Sequence, residues 1–275
     1  MRKNQQLAYF MLFLSPVVLL LAGASLFGQS PFDGTWRANM EQAKFSPKSI
    51  IFYLNKGAYD CSSCRPKIHV RADGQEQSVT GQAYDKISVR EVDPRSIEVT
   101  ATKKGKIVFY QSQTVSDGGN TLTVNTTSYP ENSVQLVTAE ATATRVGKAP
   151  AGANGASGSW QINKVKESEN GLTTTYKMSG DELSMSTPTG ESYTAKLDGR
   201  DYPFKGAYAY DTVSVKRVDE HTIEETDKRE GKAVNVVKMS VAPDGMKMTV
   251  VATDKLTGQT LTYIAEKQRI LGGVV

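Results

Sequence analysis

Cysteine and histidine are nearly missing from this chain, with two of each in 275 residues. Cys61, Cys64 and His69 are three possible zinc ligands, and no further cysteine exists to make a four-ligand thiolate site. The chain has no G-x-S-x-G elbow, no phosphate-cradling glycine loop and no nucleophile–base–acid set, so the common hydrolase and nucleotide-binding chemistries find no footing. Strong charge of either sign is missing too. The net charge is +4, with 14 Lys/Arg against 12 Asp/Glu over 32–146 and 16 against 17 over 158–270. Neither half carries the basic excess that nucleic acid requires. Helix signals are equally sparse.

The one long apolar run is at the N-terminus. Arg2 and Lys3 precede an almost wholly apolar stretch from Leu7 to Leu21, and Ala22-Gly23-Ala24 forms an A-x-A pattern. This predicts a secretory signal peptide over 1–24, cleaved near Ala24, and a secreted or periplasmic product with no membrane attachment after cleavage. The alternative is an uncleaved anchor, because the apolar stretch approaches the roughly 20 residues that span a bilayer.

What the chain has in abundance is itself. Residues 84–140 align with 210–266 at a constant offset of 126 without a gap, and 19 of the 57 positions are identical. Upstream, Phe32-Asp33-Gly34-Thr35-Trp36 matches Ala156-Ser157-Gly158-Ser159-Trp160, and these are the only two tryptophans. Between the copies, 147–157 is rich in small residues and reads as a linker. The expectation is two tandem domains, 32–146 and 158–270.

Within each copy, segments rich in Val, Ile, Thr and Tyr alternate with short turn signals such as Asp93-Pro94, Lys104-Gly105, Glu230-Gly231 and Asp244-Gly245. Connections this short make sequential strands antiparallel neighbours. About eight strands per copy would leave two open edges unless the meander closes into an up-and-down barrel. The predicted fold is therefore all-β: two tandem antiparallel barrels of about eight strands, behind a signal-peptide helix. An open, strongly curved sheet or sandwich is the alternative.

Gly34-Thr35-Trp36 and Gly158-Ser159-Trp160 resemble the G-x-W on the first strand of lipocalin-like (calycin) barrels. The repeated pattern is similar to that of secreted bacterial proteins with repeated lipocalin-like domains. The resemblance implies that each Trp closes one barrel end under a basic residue from the last strand. Arg145 for the first copy, and Lys267 or Arg269 for the second, with Arg269 preferred, stand where that partner belongs.

The segment Tyr59-Asp60-Cys61-Ser62-Ser63-Cys64-Arg65-Pro66 holds both cysteines. Arg65 occupies the position where a haem-attachment motif needs His. Pro66 prevents the helix start that lowers a redox thiol's pKa. An oxidising compartment favours a local Cys61–Cys64 disulfide, ahead of a labile redox pair and then a metal site.

Candidate ligand contacts are drawn from the tyrosines, which join an apolar ring to a polar tip: Tyr53, Tyr84, Tyr110, Tyr210 and Tyr263. Glu225 joins them, because strand alternation carries it to the same side as Ile223. The competing and simpler reading is that the strand twists out there and Glu225 meets water, since Glu is seldom fully buried. No catalytic residue, metal or cofactor is implied. The sequence points first to a binding module for a small, partly apolar ligand, and second to a structural or interaction protein of the cell envelope with filled barrels.

Overall fold

The computed structural model describes residues 30–269. In chain order the strands are β1 (Gly34–Phe45), β2 (Ile50–Asn55), β3 (Ala58–Cys61), β4 (Ile68–Arg71), β5 (Gln77–Ser78), β6 (Lys86–Asp93), β7 (Ser96–Lys103), β8 (Lys106–Val115), β9 (Thr121–Ser128) and β10 (Val137–Gly147). They continue as β11 (Gly158–Glu167), a single helical turn α1 (Glu169–Leu172), β12 (Thr173–Ser179), β13 (Glu182–Ser186), β14 (Ser192–Lys196), β15 (Asp198–Pro203), β16 (Thr212–Arg217), β17 (Thr222–Arg229), β18 (Lys232–Val241), β19 (Lys247–Asp254) and β20 (Thr260–Lys267). The fold is all-β, and the strands form two antiparallel, nearly closed barrels. The expected signal segment 1–24 lies outside the described residues.

Each sheet has ten strands, more than the eight expected. In the first copy the additional ones are β3 and β5. β3 was hidden by a two-residue turn in which Lys56 and Gly57 both take positive φ, at 50° and 76°. Lys104-Gly105 and Glu230-Gly231 repeat that geometry between β7 and β8 and between β17 and β18. A turn with two positive φ values matches the twist of a tight hairpin and favours glycine at its second position.

The sheets do not follow the boundaries of the repeat. The order of the first barrel is β4-β3-β2-β11-β10-β9-β8-β7-β6-β5, and that of the second is β14-β13-β12-β1-β20-β19-β18-β17-β16-β15. The leading strand of each copy therefore sits in the barrel of the other. Strand β1 lies between β12 and β20, pairing Thr35 with Thr175 and Ala38 with Ala265. Strand β11 lies between β2 and β10, pairing Ser159 with Ile51 and Arg145 with Trp160. Residues 147–157, expected as an interdomain linker, instead connect two neighbouring strands of one sheet. That segment is anchored: Asn154 Nδ2 donates to Glu91 Oε1 (2.9 Å) and to the Asp93 carbonyl (2.7 Å).

The two cores record the same exchange. Trp160 and Ala156 pack with Phe52, Leu54, Val89, Ile97 and Leu122 in the first barrel. Trp36 and Phe32 pack with Leu183, Val213, Val215, Ile223 and Met239 in the second. Alternation supplies these residues, since one face of each strand enters the core and the other meets solvent. The last gap in each barrel is bridged. Ser192 and Lys205 exchange backbone hydrogen bonds of 3.0 and 2.9 Å across the second seam. In the first, the Gln77 side-chain amide takes the place of a strand, accepting from Arg71 N (2.9 Å) and donating to Arg71 O (2.8 Å).

Candidate functional site

Each barrel has a sealed end and a lipped end. At the sealed ends Trp36 and Trp160 are fully buried, and their indole N–H groups donate to the carbonyls four residues back, Phe32 (2.8 Å) and Ala156 (2.9 Å). The Arg145 guanidinium lies 4.1 Å from the Trp160 ring and the Lys267 ammonium 4.7 Å from that of Trp36, both within cation–π range. Arg145 also donates to the carbonyls of Gly119 (2.5 Å), Ser157 (2.6 Å) and Gly155 (2.7 Å). Lys267 donates to Pro31 O at 3.1 Å. Arg269 is exposed and has passed the end of β20; alternation and strand length bring Lys267 over the ring instead. The glycine of each G-x-W has a physical cause. Gly34 and Gly158 have φ of 127° and 148°, and a Cβ on Gly158 would strike the Arg145 guanidinium.

The lipped ends of the two barrels meet along a groove of about 330 Å³. The first barrel contributes Val108, Phe109, Ser128, Tyr129, Val137 and Glu167, and the second Thr187, Thr189, Glu191 and the 206–209 loop. Ser128 and Val137 pair where β9 ends and β10 begins, Phe109 pairs with the same Ser128, and Trp160 lies beside Arg145 at the other end of β10. At the base, the backbone turns at Gly190 and Gly206 approach so closely that a Cβ on Gly206 would strike the Gly190 carbonyl. Two cationic side chains tie the barrels together beside the groove. Lys103 Nζ donates to Tyr208 O (3.0 Å), and Arg229 Nη2 donates to Gly81 O (2.9 Å).

Behind the groove, the second barrel contains an acid–tyrosine cluster. Ile223, Glu225 and Asp227 all face inward on β17, and Glu225 and Asp227 are only 6% and 2% exposed. The expectation that β17 twists out and hydrates Glu225 is therefore corrected: alternation persists to Asp227, because pairing with β16 and β18 continues through the end of the strand. Tyr193 Oη donates to Glu225 Oε2 at 2.5 Å, and Asn235 Nδ2 to Asp227 Oδ2 at 2.9 Å. The other Asp227 oxygen, Oδ1, is enclosed without a hydrogen-bond donor.

Burial, and then the charge of neighbouring Asp227, push the Glu225 carboxyl well above the usual carboxylate range, while the Tyr193 hydrogen bond pulls against them. Burial raises Asp227 as well. Two close carboxyls in a dry site cannot both ionise cheaply, so the pair holds a proton. Burial, followed by the charge of Glu225, raises Tyr176 and Tyr193 and pushes Tyr263 up to about 12. Glu191, on the groove, is raised by burial and then by the charges of Asp227 and Glu167. Acidic groups thus run continuously from the groove into the barrel.

The structure separates the tyrosines proposed from sequence. Tyr210 and Tyr263 belong to the second barrel's cluster, and Tyr84 packs edge-on against Phe109 near the first barrel's lip, at 5.5 Å between centroids. Tyr53 and Tyr110 do not line an interior. Tyr53 alternates with inward Phe52 and Leu54, so it faces out. Tyr110 lies on the outer face, donating to Glu98 Oε1 (2.8 Å), which also binds Arg90. Asp227, Tyr176 and Tyr193 were missed. The signal for Asp227 was available, because the alternation that carries Glu225 inward applies two residues later.

Cys61 and Cys64 form a disulfide within the β3–β4 connection. His69 Nδ1 lies 2.5 Å from Asp60 Oδ1 on the exposed face beside it. Among the described residues, no group of three or more His, Cys, Asp or Glu is placed to hold a metal ion, and no helix is long and apolar enough to cross a membrane.

No family model and no curated protein matches this chain. Among solved structures, it is similar to the vaccine antigen Transferrin Binding Protein B of Haemophilus parasuis Hp5, in a tryptophan-to-alanine variant. The identity is 7%, over 86% of this chain and 76% of that one, with a TM-score of 0.17. That score is too low to establish a shared fold.

Proposed function

We propose that this is an exported, non-catalytic binding module whose site is the groove between the two barrel lips. One observation carries the reading: a groove of about 330 Å³, large enough for a small organic molecule, lies in front of an otherwise costly buried acid–tyrosine cluster. Buried carboxyls and hydroxyls with no structural ion pair favour recognition over packing. The disulfide fits an oxidising compartment. The lipocalin-like reading is supported by a basic residue over the G-x-W tryptophan in both barrels.

A second reading applies to the first barrel, whose interior is filled by Phe52, Leu54, Tyr59, Val89 and Ile97. It serves as a scaffold that supplies one wall of the groove. A native mass spectrum of the exported protein, purified without reductant, tests the proposal. A mass above the processed chain that is lost on denaturation is expected. A bare chain, combined with failure of a small-molecule panel to shift the melting temperature, would contradict it.

A further inference from the structure

The charge of the groove is one-sided. Glu167 and Glu191 line it, and no lysine or arginine does. Lys103 and Arg229, nearby, are committed to backbone carbonyls of the facing barrel. The remaining walls are largely apolar or aromatic, with Phe109, Tyr129, Val137 and Tyr208. Behind Glu191 stands Asp227, 2% exposed, hydrogen-bonded by Asn235 and in hydrogen-bond contact with the Glu225 carboxyl. The proton that Glu225 and Asp227 share compensates the pair from within, and the charge left on it adds to the negative field behind the groove.

We infer that the groove takes a protonated amine on a small aromatic or aliphatic body. The ammonium lies against Glu191 and Glu167, and the body against Phe109, Tyr129, Tyr208 and Val137. This rests on the groove being the binding site and adds the class of ligand. An ammonium supplies three donors to the carboxylates, forming charge-assisted hydrogen bonds in a partly dewatered site. Its positive end is also attracted to a tyrosine face such as that of Tyr129, away from Tyr208, whose ring already carries the Lys103 ammonium at 5.9 Å. A neutral analogue would leave the carboxyls unpaired, and an anion would meet repulsion from Glu167 and Glu191 and from the charge left on the Glu225–Asp227 pair behind them.

Calorimetric titration of the processed chain with 2-phenylethylamine, 2-phenylethanol and phenylacetate at pH 8 tests this. The amine should bind at least about tenfold more tightly than the alcohol, the factor that one charge-assisted contact supplies. Phenylacetate should not bind. Glu191→Gln and Glu167→Gln, with folding checked by circular dichroism, should each weaken the amine about tenfold. Acidification should weaken it as Glu191 and Glu167 take up protons, with Glu225 and Asp227 behind them sharing a proton and Tyr210 and Tyr263 beside them staying neutral. Equal binding of amine and alcohol, or amine binding unchanged in a folded Glu167→Gln/Glu191→Gln double variant, would overturn the ligand class and leave the groove intact as a site. If no probe binds while the native spectrum shows a carried molecule, the class is again wrong. If no probe binds and nothing is carried, the groove reading falls with it.

Discussion

At the scale of single residues, the two copies differ in what β7 and β17 bury. Val99 and Ala101 of the first copy are replaced by Glu225 and Asp227 of the second at matching inward positions. The exchange is costly, because a buried carboxyl must keep its proton or find a partner. Glu225 has a folded-state pKa raised above its unfolded value. Its contribution to stability is therefore full below the ordinary glutamate range and is lost as pH rises through the raised value. Glu225→Gln should flatten this fall: between pH 5 and pH 8 the melting temperature should drop less in the variant than in the parent. Calorimetric scans across that range check it, and parallel curves would contradict it. Asp227, also raised, leaves a residual slope.

Residue-level reading of the sequence reached the doorway of this cluster. Alternation named Glu225, but the general rarity of buried Glu argued for water, and only long-range pairing with β16 and β18 decides between them. Tyr53 and Tyr110 failed for the opposite reason. A tyrosine is equally at home on either face of a strand, and facing was not assigned to them by the neighbours that alternate with them.

At the scale of elements, the decisive feature is the exchange of β1 and β11. Both copies of G-x-W, the flanking hairpins and the basic partners were legible, because each is a local pattern repeated at a fixed spacing. The exchange was not. Two equivalent first strands fit two equivalent slots, and nothing local to either strand distinguishes its own barrel from the other's. Trp36→Ala should loosen the second barrel and Trp160→Ala the first, each by about 3–5 kcal/mol. Hydrogen exchange should show Trp36→Ala deprotecting β12 and β20 while β9 and β10 stay protected. Deprotection of β9 and β10 would contradict it. The Cys61–Cys64 bond closes a loop of only four residues, so reduction should cost at most about 2 kcal/mol and act on β2–β4. Reductant titration followed by hydrogen exchange checks this, and deprotection of the second barrel on reduction would contradict it.

At the scale of the molecule, exchange makes the two barrels one object. The chain crosses between them after β1 and again after β11, and the lips are held facing across the groove by these crossings and by Lys103 and Arg229. A pair of engineered cross-links distinguishes exchanged from unexchanged first strands. Thr35 and Thr175 are paired strand neighbours with hydroxyls 2.9 Å apart, although 140 residues separate them in sequence. Under oxidising conditions Thr35→Cys/Thr175→Cys should form an internal disulfide alongside Cys61–Cys64, and Thr35→Cys/Ile51→Cys should not. A Thr35–Ile51 cross-link, with none between 35 and 175, would mean that each copy keeps its own first strand and would contradict the shared architecture.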